Sequence, residues 1–160
     1  MTADEEIALL TEYLTSGARV CTGFAQTSAK AGAFLPISPE TIDHLLPEDE
    51  TVVLAFLKRF EQFEELLNHA LKAISKIMEH GKIERLTSRD VAHRAWALGI
   101  LSDEKRWSDA VRTRNALAHE YPINPVKRAE QVNNAWAARA TLVETWEAIL
   151  RFVDREGLVS

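Results

Sequence analysis

The chain has 160 residues, of which 46% are hydrophobic and 27% are charged, and its formal net charge is −5. This composition is typical of a single folded globular domain and excludes a disordered chain. The acidic balance argues against a protein that coats nucleic acid through a broad basic surface, so any contact with RNA must be local.

The first residues include Asp4, Glu5 and Glu6, whereas a signal peptide begins with basic residues. No apolar run approaches the roughly 20 residues that cross a bilayer. We therefore expect a cytoplasmic protein without a membrane partner. The single cysteine, Cys21, excludes an internal disulfide, and neither it nor the histidines form a group with metal-ligand spacing. We expect neither a metal nor a cofactor.

Residues 1–50 are interpreted as an irregular, partly helical extension that packs on a bundle. A helix is predicted over residues 5–14. Residues 16–33 are rich in Gly, Ser and Ala, and Pro36, Pro39 and Pro47 follow, which favours irregular structure.

Residues 51–80 are predicted to form a long helix at the centre of a bundle. Apolar residues recur there at steps of three and four, at Val53, Phe56, Phe60, Phe63, Leu67, Ala70, Ile74 and Ile77. This spacing is a heptad seam. Gly81 is the predicted end of the helix.

Three further helices are predicted after this one. The second covers residues 89–98 behind an N-cap at Thr87 or Ser88. The third begins after Ser102 or Asp103 and stops near His119, because Pro122 disfavours helical geometry at the residue before it.

The fourth predicted helix covers residues 126–154 and repeats an apolar face at Val132, Trp136, Leu142, Val143, Trp146, Ile149, Leu150 and Val153. Short connections favour antiparallel neighbours, so residues 51–160 are predicted to form an all-α, up-and-down bundle of four helices. The four tryptophans lie at helix-face spacing, which favours core packing over stacking with nucleic-acid bases.

The third helix places an arginine on its apolar side. With about 100° per residue, Arg114 falls in the same stripe as Trp107 and Ala110. Burying a guanidinium costs free energy unless the group is paired. Arg114 is therefore expected either to pair with a carboxylate or to face a solvent-filled cleft that binds an anion. Candidate carboxylates for this pairing occur on the long helix at Glu61, Glu64 and Glu65, although a solvated acidic face is the alternative.

A separate polar row on the same helix holds Ser108, Arg112, Asn115 and His119. Arg112 is interpreted either as a phosphate ligand or as a solvated arginine paired with a neighbour. Arg114 and His119 are about 140° apart on an ideal helix. They converge on one ligand only if the helix end distorts or if two subunits contribute.

Histidine and arginine together suit cleavage of RNA without a metal. The ribose 2′-hydroxyl attacks the adjacent phosphate, an imidazole moves the proton, and a guanidinium stabilises the charge on the phosphoryl oxygens. In this interpretation His119 transfers the proton and Arg114 binds the phosphate. The alternative is structural, with a paired Arg114 and with His119 near the helix C-terminus.

The string Arg114-Asn115-x-x-x-His119-x-Tyr121, preceded by Gly99-Ile100 and Trp107, resembles the HEPN superfamily. Its prokaryotic members include ribonuclease toxins and nucleotidyltransferase substrate-binding proteins. The resemblance covers roughly residues 91–121. It implies a helical bundle that forms a two-fold homodimer, with Arg114 and His119 of both subunits lining one cleft.

The resemblance further implies a metal-independent endoribonuclease that is the toxin of a toxin–antitoxin pair. Arg114 and His119 would be catalytic, and a nucleotidyltransferase antitoxin would modify Tyr121 by AMPylation. Arg112 and Asn115 are the candidate phosphate- or RNA-binding residues, Arg112 because it lies seven positions before His119 and within about 20° of it on the helix surface. The alternative for the tyrosine is a partly buried ring with a locally bonded hydroxyl. The alternative for the whole protein is a non-catalytic substrate-binding or regulatory subunit of a nucleotidyltransferase.

Overall fold

The computed structural model describes residues 2–79, 85–119 and 121–159. These residues contain six helices and no strand, which confirms the all-α prediction. The helices are α1 (Ala3–Ala31), α2 (Pro39–Asp43), α3 (Pro47–Met78), α4 (Ser88–Ala97), α5 (Glu104–His119) and α6 (Pro125–Glu156). None of the described helices has the length and apolar character needed to cross a bilayer.

Helix α1 runs without a break from Ala3 to Ala31, so the prediction of irregular structure from residue 16 onward is wrong for most of that stretch. It begins with a capping box in which Thr2 and Glu5 bond to each other's backbone amides. The residues that it buries include Leu10, Gly17, Phe24 and Ala31, each seven positions after the last. This is a heptad seam in which small residues replace half of the expected large ones.

Aromatic contacts show that α1 and α3 are antiparallel. The rings of Tyr13 and His69 lie 5.5 Å apart, and those of Phe24 and Phe56 lie 5.7 Å apart. Phe24 is also buried in the core that α3 supplies. Whether residues 1–50 form a unit of their own stays a prediction.

The predicted seam of α3 is confirmed, because its first seven members have no exposed surface, and these are Val53, Phe56, Phe60, Phe63, Leu67, Ala70 and Ile74. The helix begins at Pro47, earlier than predicted. Proline suits the first turn of a helix, where its missing N–H costs nothing. The predicted end at Gly81 lies outside the described residues, and the C-cap is Glu79.

Helix α6 runs parallel to α3, since Trp136 lies against Phe56 and Trp146 lies against Phe63. Helix α5 runs antiparallel to α6, since Arg106 pairs with Glu144 at 2.9 Å and the later Thr113 shares a groove with the earlier Ala137. The chain direction therefore alternates through α1, α3, α5 and α6.

These four helices form the up-and-down bundle, but they are not the four helices that were predicted. Helix α4 was predicted as one of the four, but it has only 10 residues. The long helix α1 takes that place instead.

The tryptophans divide between core and surface. Trp107 is fully buried and Trp146 is 6% exposed, but Trp96 on α4 is 50% exposed, so the prediction of a core position is wrong for Trp96. Its ring stacks on that of His93. Leu150, predicted on the apolar face of α6, is also exposed.

Candidate functional site on helix α5

Helix α5 is fixed at its start by Asp103, as the sequence predicted. The Oδ1 atom of Asp103 accepts hydrogen bonds from the backbone amides of Lys105 at 2.9 Å and Arg106 at 3.2 Å. Trp107 and Ala110 are fully buried and anchor the helix in the bundle. The helix ends at His119, so the motif residues occupy its last turns and the connection that follows.

Arg114 points toward α3 and is held there by two carboxylates. Its Nε atom lies 3.3 Å from Oε2 of Glu64, and its Nη2 atom lies 3.6 Å from Oε1 of Glu65. Its Nη1 atom donates to Oδ1 of Asn115 at 3.0 Å. Arg114 is therefore paired with carboxylates and does not face an open anion-binding cleft.

Glu64 is not part of a solvated acidic face, because its side chain is only 3% exposed. Burial raises the pKa of Glu64 to about 7, the effect of burial being larger than the opposing effect of Arg114, while Glu65 raises the pKa further. Glu64 therefore changes its protonation state close to neutral pH. When Glu64 is protonated, Glu65 and Asn115 remain as partners of Arg114.

Arg112 lies on the solvent side of α5 and forms an ion pair with Asp109. Lys105 lies 3.2 Å from the same carboxylate. Hydrogen bonds from Lys105 and Arg112 lower the pKa of Asp109. This arrangement is the solvated pair that was one of the two interpretations of Arg112, and its use as a phosphate ligand stays a prediction.

His119 is exposed at the last position of α5. Within residues 2–79, 85–119 and 121–159, no hydrogen bond or ion pair joins it to Arg114 or to Asn115. The structure thus does not bring the arginine and the histidine together in one subunit. Their meeting at a two-fold axis stays a prediction.

Tyr121 follows α5 and packs half-buried against the core. The guanidinium of Arg128 lies 5.8 Å from the centre of its ring, and Arg128 pairs with Asp43 of α2 at 2.9 Å. Burial raises the pKa of Tyr121, with Arg128 opposing this effect and Glu50 adding to it. The phenol is therefore protonated at neutral pH. No described residue forms a hydrogen bond with its hydroxyl, so the locally bonded hydroxyl is not seen.

Three large apolar side chains are exposed at the end of the bundle where α2 stops and α3 and α6 begin. Ile123 is 94% exposed, Val126 is 59% exposed and Leu46 is 58% exposed. We call Leu46, Ile123 and Val126 the apolar end. Large apolar side chains that stay in contact with water together are typical of a surface that binds another protein.

The sequence contains a signal for the partner of Arg114 but none for the contacts of Tyr121. Glu64 stands four positions after Phe60 and three before Leu67, so it lies beside the buried seam of α3. This spacing predicts burial. Nothing in the sequence links Tyr121 to Arg128 or Asp43, because these contacts depend on how the ends of three helices meet.

The described residues define an all-α helical bundle, with Arg114 and His119 in the last turns of α5 and Tyr121 in the connection that follows. A family model described as nucleotidyltransferase substrate binding protein like matches residues 26–146. The match covers more than half of the chain and includes the whole motif, so the protein belongs to this family. No curated protein and no solved structure shows significant similarity to the chain.

Proposed function

We propose that this protein is a non-catalytic substrate-binding or regulatory subunit of a nucleotidyltransferase. The family to which the chain belongs supports the partnership. The observation that carries the non-catalytic part is the pairing of Arg114 with Glu64 and Glu65.

A catalytic arginine must direct its N–H groups at the phosphate oxygens. In this chain the Nε and Nη2 atoms of Arg114 face carboxylates, and the Nη1 atom faces an amide. A phosphate placed beside Arg114 would be attracted by one positive charge and repelled by up to two negative charges, those of Glu64 and Glu65. This geometry supports a structural role, in which Arg114 joins α5 to α3 and orients Asn115.

The partner enzyme would dock on the apolar end. Ile123 lies two residues after Tyr121 and Val126 lies in the first turn of α6, so an enzyme bound there would lie close to the tyrosine. In this proposal Tyr121 is the acceptor of a transferred nucleotide, and the protein is a homodimer that presents two such ends.

The experiment is co-expression of this chain with a candidate nucleotidyltransferase, followed by size-exclusion chromatography with light scattering. A stable complex is expected, and Ile123→Asp should weaken it at least about tenfold, because a carboxylate replaces an apolar contact. Leu150→Asp is the matched control, since Leu150 is also exposed but lies in the C-terminal half of α6. Equal complex formation by the two variants would reject the apolar end as the docking surface.

The second candidate function is a metal-independent endoribonuclease toxin that cleaves RNA by 2′-hydroxyl attack in a dimer cleft. The observation that favours it is the exposure of His119 at the end of α5, and the raised pKa of Glu64 agrees with it, because protonation of Glu64 would loosen the hold on Arg114. His119 is exposed and would transfer the proton. Under this proposal His119→Ala abolishes both RNA cleavage and growth arrest while the dimer stays folded.

A further inference from the structure

A cavity lies at the opposite end of α5 from the motif. It is bounded by the turn before α5, the first turns of α5 and the C-terminal half of α6, and its volume is about 330 Å³. Helix α5 has 16 residues and is therefore about 24 Å long. The cavity, which we call the Arg151 cavity, is thus a separate place from the surroundings of His119.

The inner wall of the Arg151 cavity is apolar and includes aromatic rings. Leu101, Trp107 and Phe152 line it, and each is at most 5% exposed. Thr145, also buried in this wall, donates its hydroxyl hydrogen to the carbonyl of Thr141 at 2.7 Å. The indole N–H of Trp107 has no acceptor among the described residues. Because the Trp107 ring and its N–H are fully buried behind this wall, the surface that the wall offers to a ligand comes from the small exposed parts of Leu101 and Phe152 and from Ala148.

The rim of the cavity carries more positive than negative side chains. Arg106, Arg151 and Arg155 line it, against Asp103 and Glu144. The whole chain has a net charge of −5, so a local excess of arginine runs against the average of the molecule. An excess of this kind attracts an anion.

The three arginines differ in how far they are neutralised. Arg106 pairs with Glu144 at 2.9 Å. Arg155 lies 3.5 Å from its neighbour Glu156 and stacks on the ring of Phe152. Arg151 is exposed and forms no ion pair within the described part of the chain. Its guanidinium is therefore available to bind the two oxygens of a phosphate.

We propose that the Arg151 cavity binds a nucleoside monophosphate, with the phosphate on Arg151 and Arg155 and the planar base against the apolar wall. A volume of about 330 Å³ is at the small end of ligand sites and suits one nucleotide rather than an oligonucleotide. The site goes beyond the proposed function, because it needs neither a partner enzyme nor a second subunit.

The test is isothermal titration calorimetry of AMP into the full-length protein. Saturable binding of one AMP per chain is expected. Arg151→Ala should weaken it at least about tenfold, since it removes a charge-assisted hydrogen bond to the phosphate. Arg19→Ala is the matched control and should bind as the parent does, because Arg19 is exposed on α1 and lines a different groove, between α1 and α3.

A second variant, Ala148→Leu, places extra methyl groups in the cavity and should abolish AMP binding. Its circular dichroism and thermal unfolding show whether it folds. The proposal is overturned if AMP does not saturate the parent, if Arg151→Ala binds AMP as tightly as the parent, or if inorganic phosphate or adenosine alone binds as tightly as AMP.

Ile123→Asp should still bind AMP, whatever it does to the complex with the nucleotidyltransferase. Failure of the nucleotide site and failure of the proposed docking surface are therefore distinguishable.

Discussion

The guanidinium of Arg114 and the carboxylate of Glu64 lie 3.3 Å apart, and the carboxylate is 3% exposed. This pair determines whether the charge of Arg114 is available to a ligand. A buried carboxylate beside the motif arginine neutralises the charge that a phosphate would need. Because burial also raises the pKa of Glu64 to about 7, the same pair makes the stability of the fold sensitive to pH.

Glu64→Gln is expected to change the pH dependence of folding stability. The pKa of Glu64 rises from an ordinary 4.5 to about 7 in the folded protein, so between these values the folded state binds more protons than the unfolded state. The free energy of unfolding therefore falls as pH rises through this window, by at most about 3 kcal/mol. The variant lacks this contribution. Urea denaturation at pH values from 4 to 9 measures both proteins.

The control for this comparison is Glu65→Gln, because Glu65 also faces Arg114 but is 54% exposed. The difference in unfolding free energy between Glu65→Gln and the parent should vary much less over the same window. A difference between Glu64→Gln and the parent that stays constant from pH 4.5 to pH 7 would show that the pKa of Glu64 is ordinary.

Gly17→Ala is expected to destabilise the protein, although alanine is the better helix former. A Cβ atom at Gly17 would lie 2.4 Å from the ring of Trp146, so α1 and α6 would have to separate. We expect a loss of about 1–3 kcal/mol in the free energy of unfolding, measured by chemical denaturation.

Gly23→Ala on the same helix is the matched variant and should act in the opposite direction. A Cβ atom there meets only the end of the Arg59 side chain, at 2.8 Å, which can move aside. The helix propensity of alanine should then stabilise the protein by up to about 1 kcal/mol. The same sign of effect for both glycines would contradict the packing of α1 against α6.

Trp107→Ala and Trp96→Ala should differ sharply in stability. Trp107 is fully buried, so its removal leaves a cavity and should cost about 3–5 kcal/mol. Trp96 is 50% exposed, so its removal should cost much less. Thermal unfolding of the two variants measures the difference, and similar losses would place Trp96 in the core after all.

Incubation with the partner nucleotidyltransferase and ATP should add one AMP per chain at Tyr121. The chain has two tyrosines, and Tyr13 lies on α1 stacked against His69. Mass spectrometry of intact protein should therefore show the adduct in Tyr13→Phe and lose it in Tyr121→Phe. An adduct that persists in Tyr121→Phe would assign the modification elsewhere.

The sequence predicted those parts of the fold in which large apolar residues mark the buried face. The seam of α3 and the position of α5 are such cases. Most of helix α1 was not predicted, because its buried seam uses the small residues Gly17 and Ala31. The space beside Gly17 is filled by the large side chain of Trp146 on α6. Complementarity between a small residue and a distant large one leaves no periodic signal in the segment that carries the small residue.

The candidate site was predictable to the same degree. Helical spacing showed that Arg114 faces the core and that His119 does not share its face. Of the three acidic candidates on α3, the spacing beside the buried seam favours Glu64, whereas the contact of Glu65 with Arg114 depends on packing alone. Tyr121 and Arg128 are only seven residues apart, but Arg128 is held by Asp43, which lies 85 residues away, so no local pattern contains this arrangement.

The motif on α5 is expected not to catalyse RNA cleavage by itself. Purified parent protein and His119→Ala, both in EDTA, should be incubated with total cellular RNA and with a labelled single-stranded oligonucleotide, and the products should be separated on a denaturing gel. We expect both proteins to leave both RNAs equally intact. Cleavage by the parent that is lost in a folded His119→Ala variant would contradict it and would establish the ribonuclease instead.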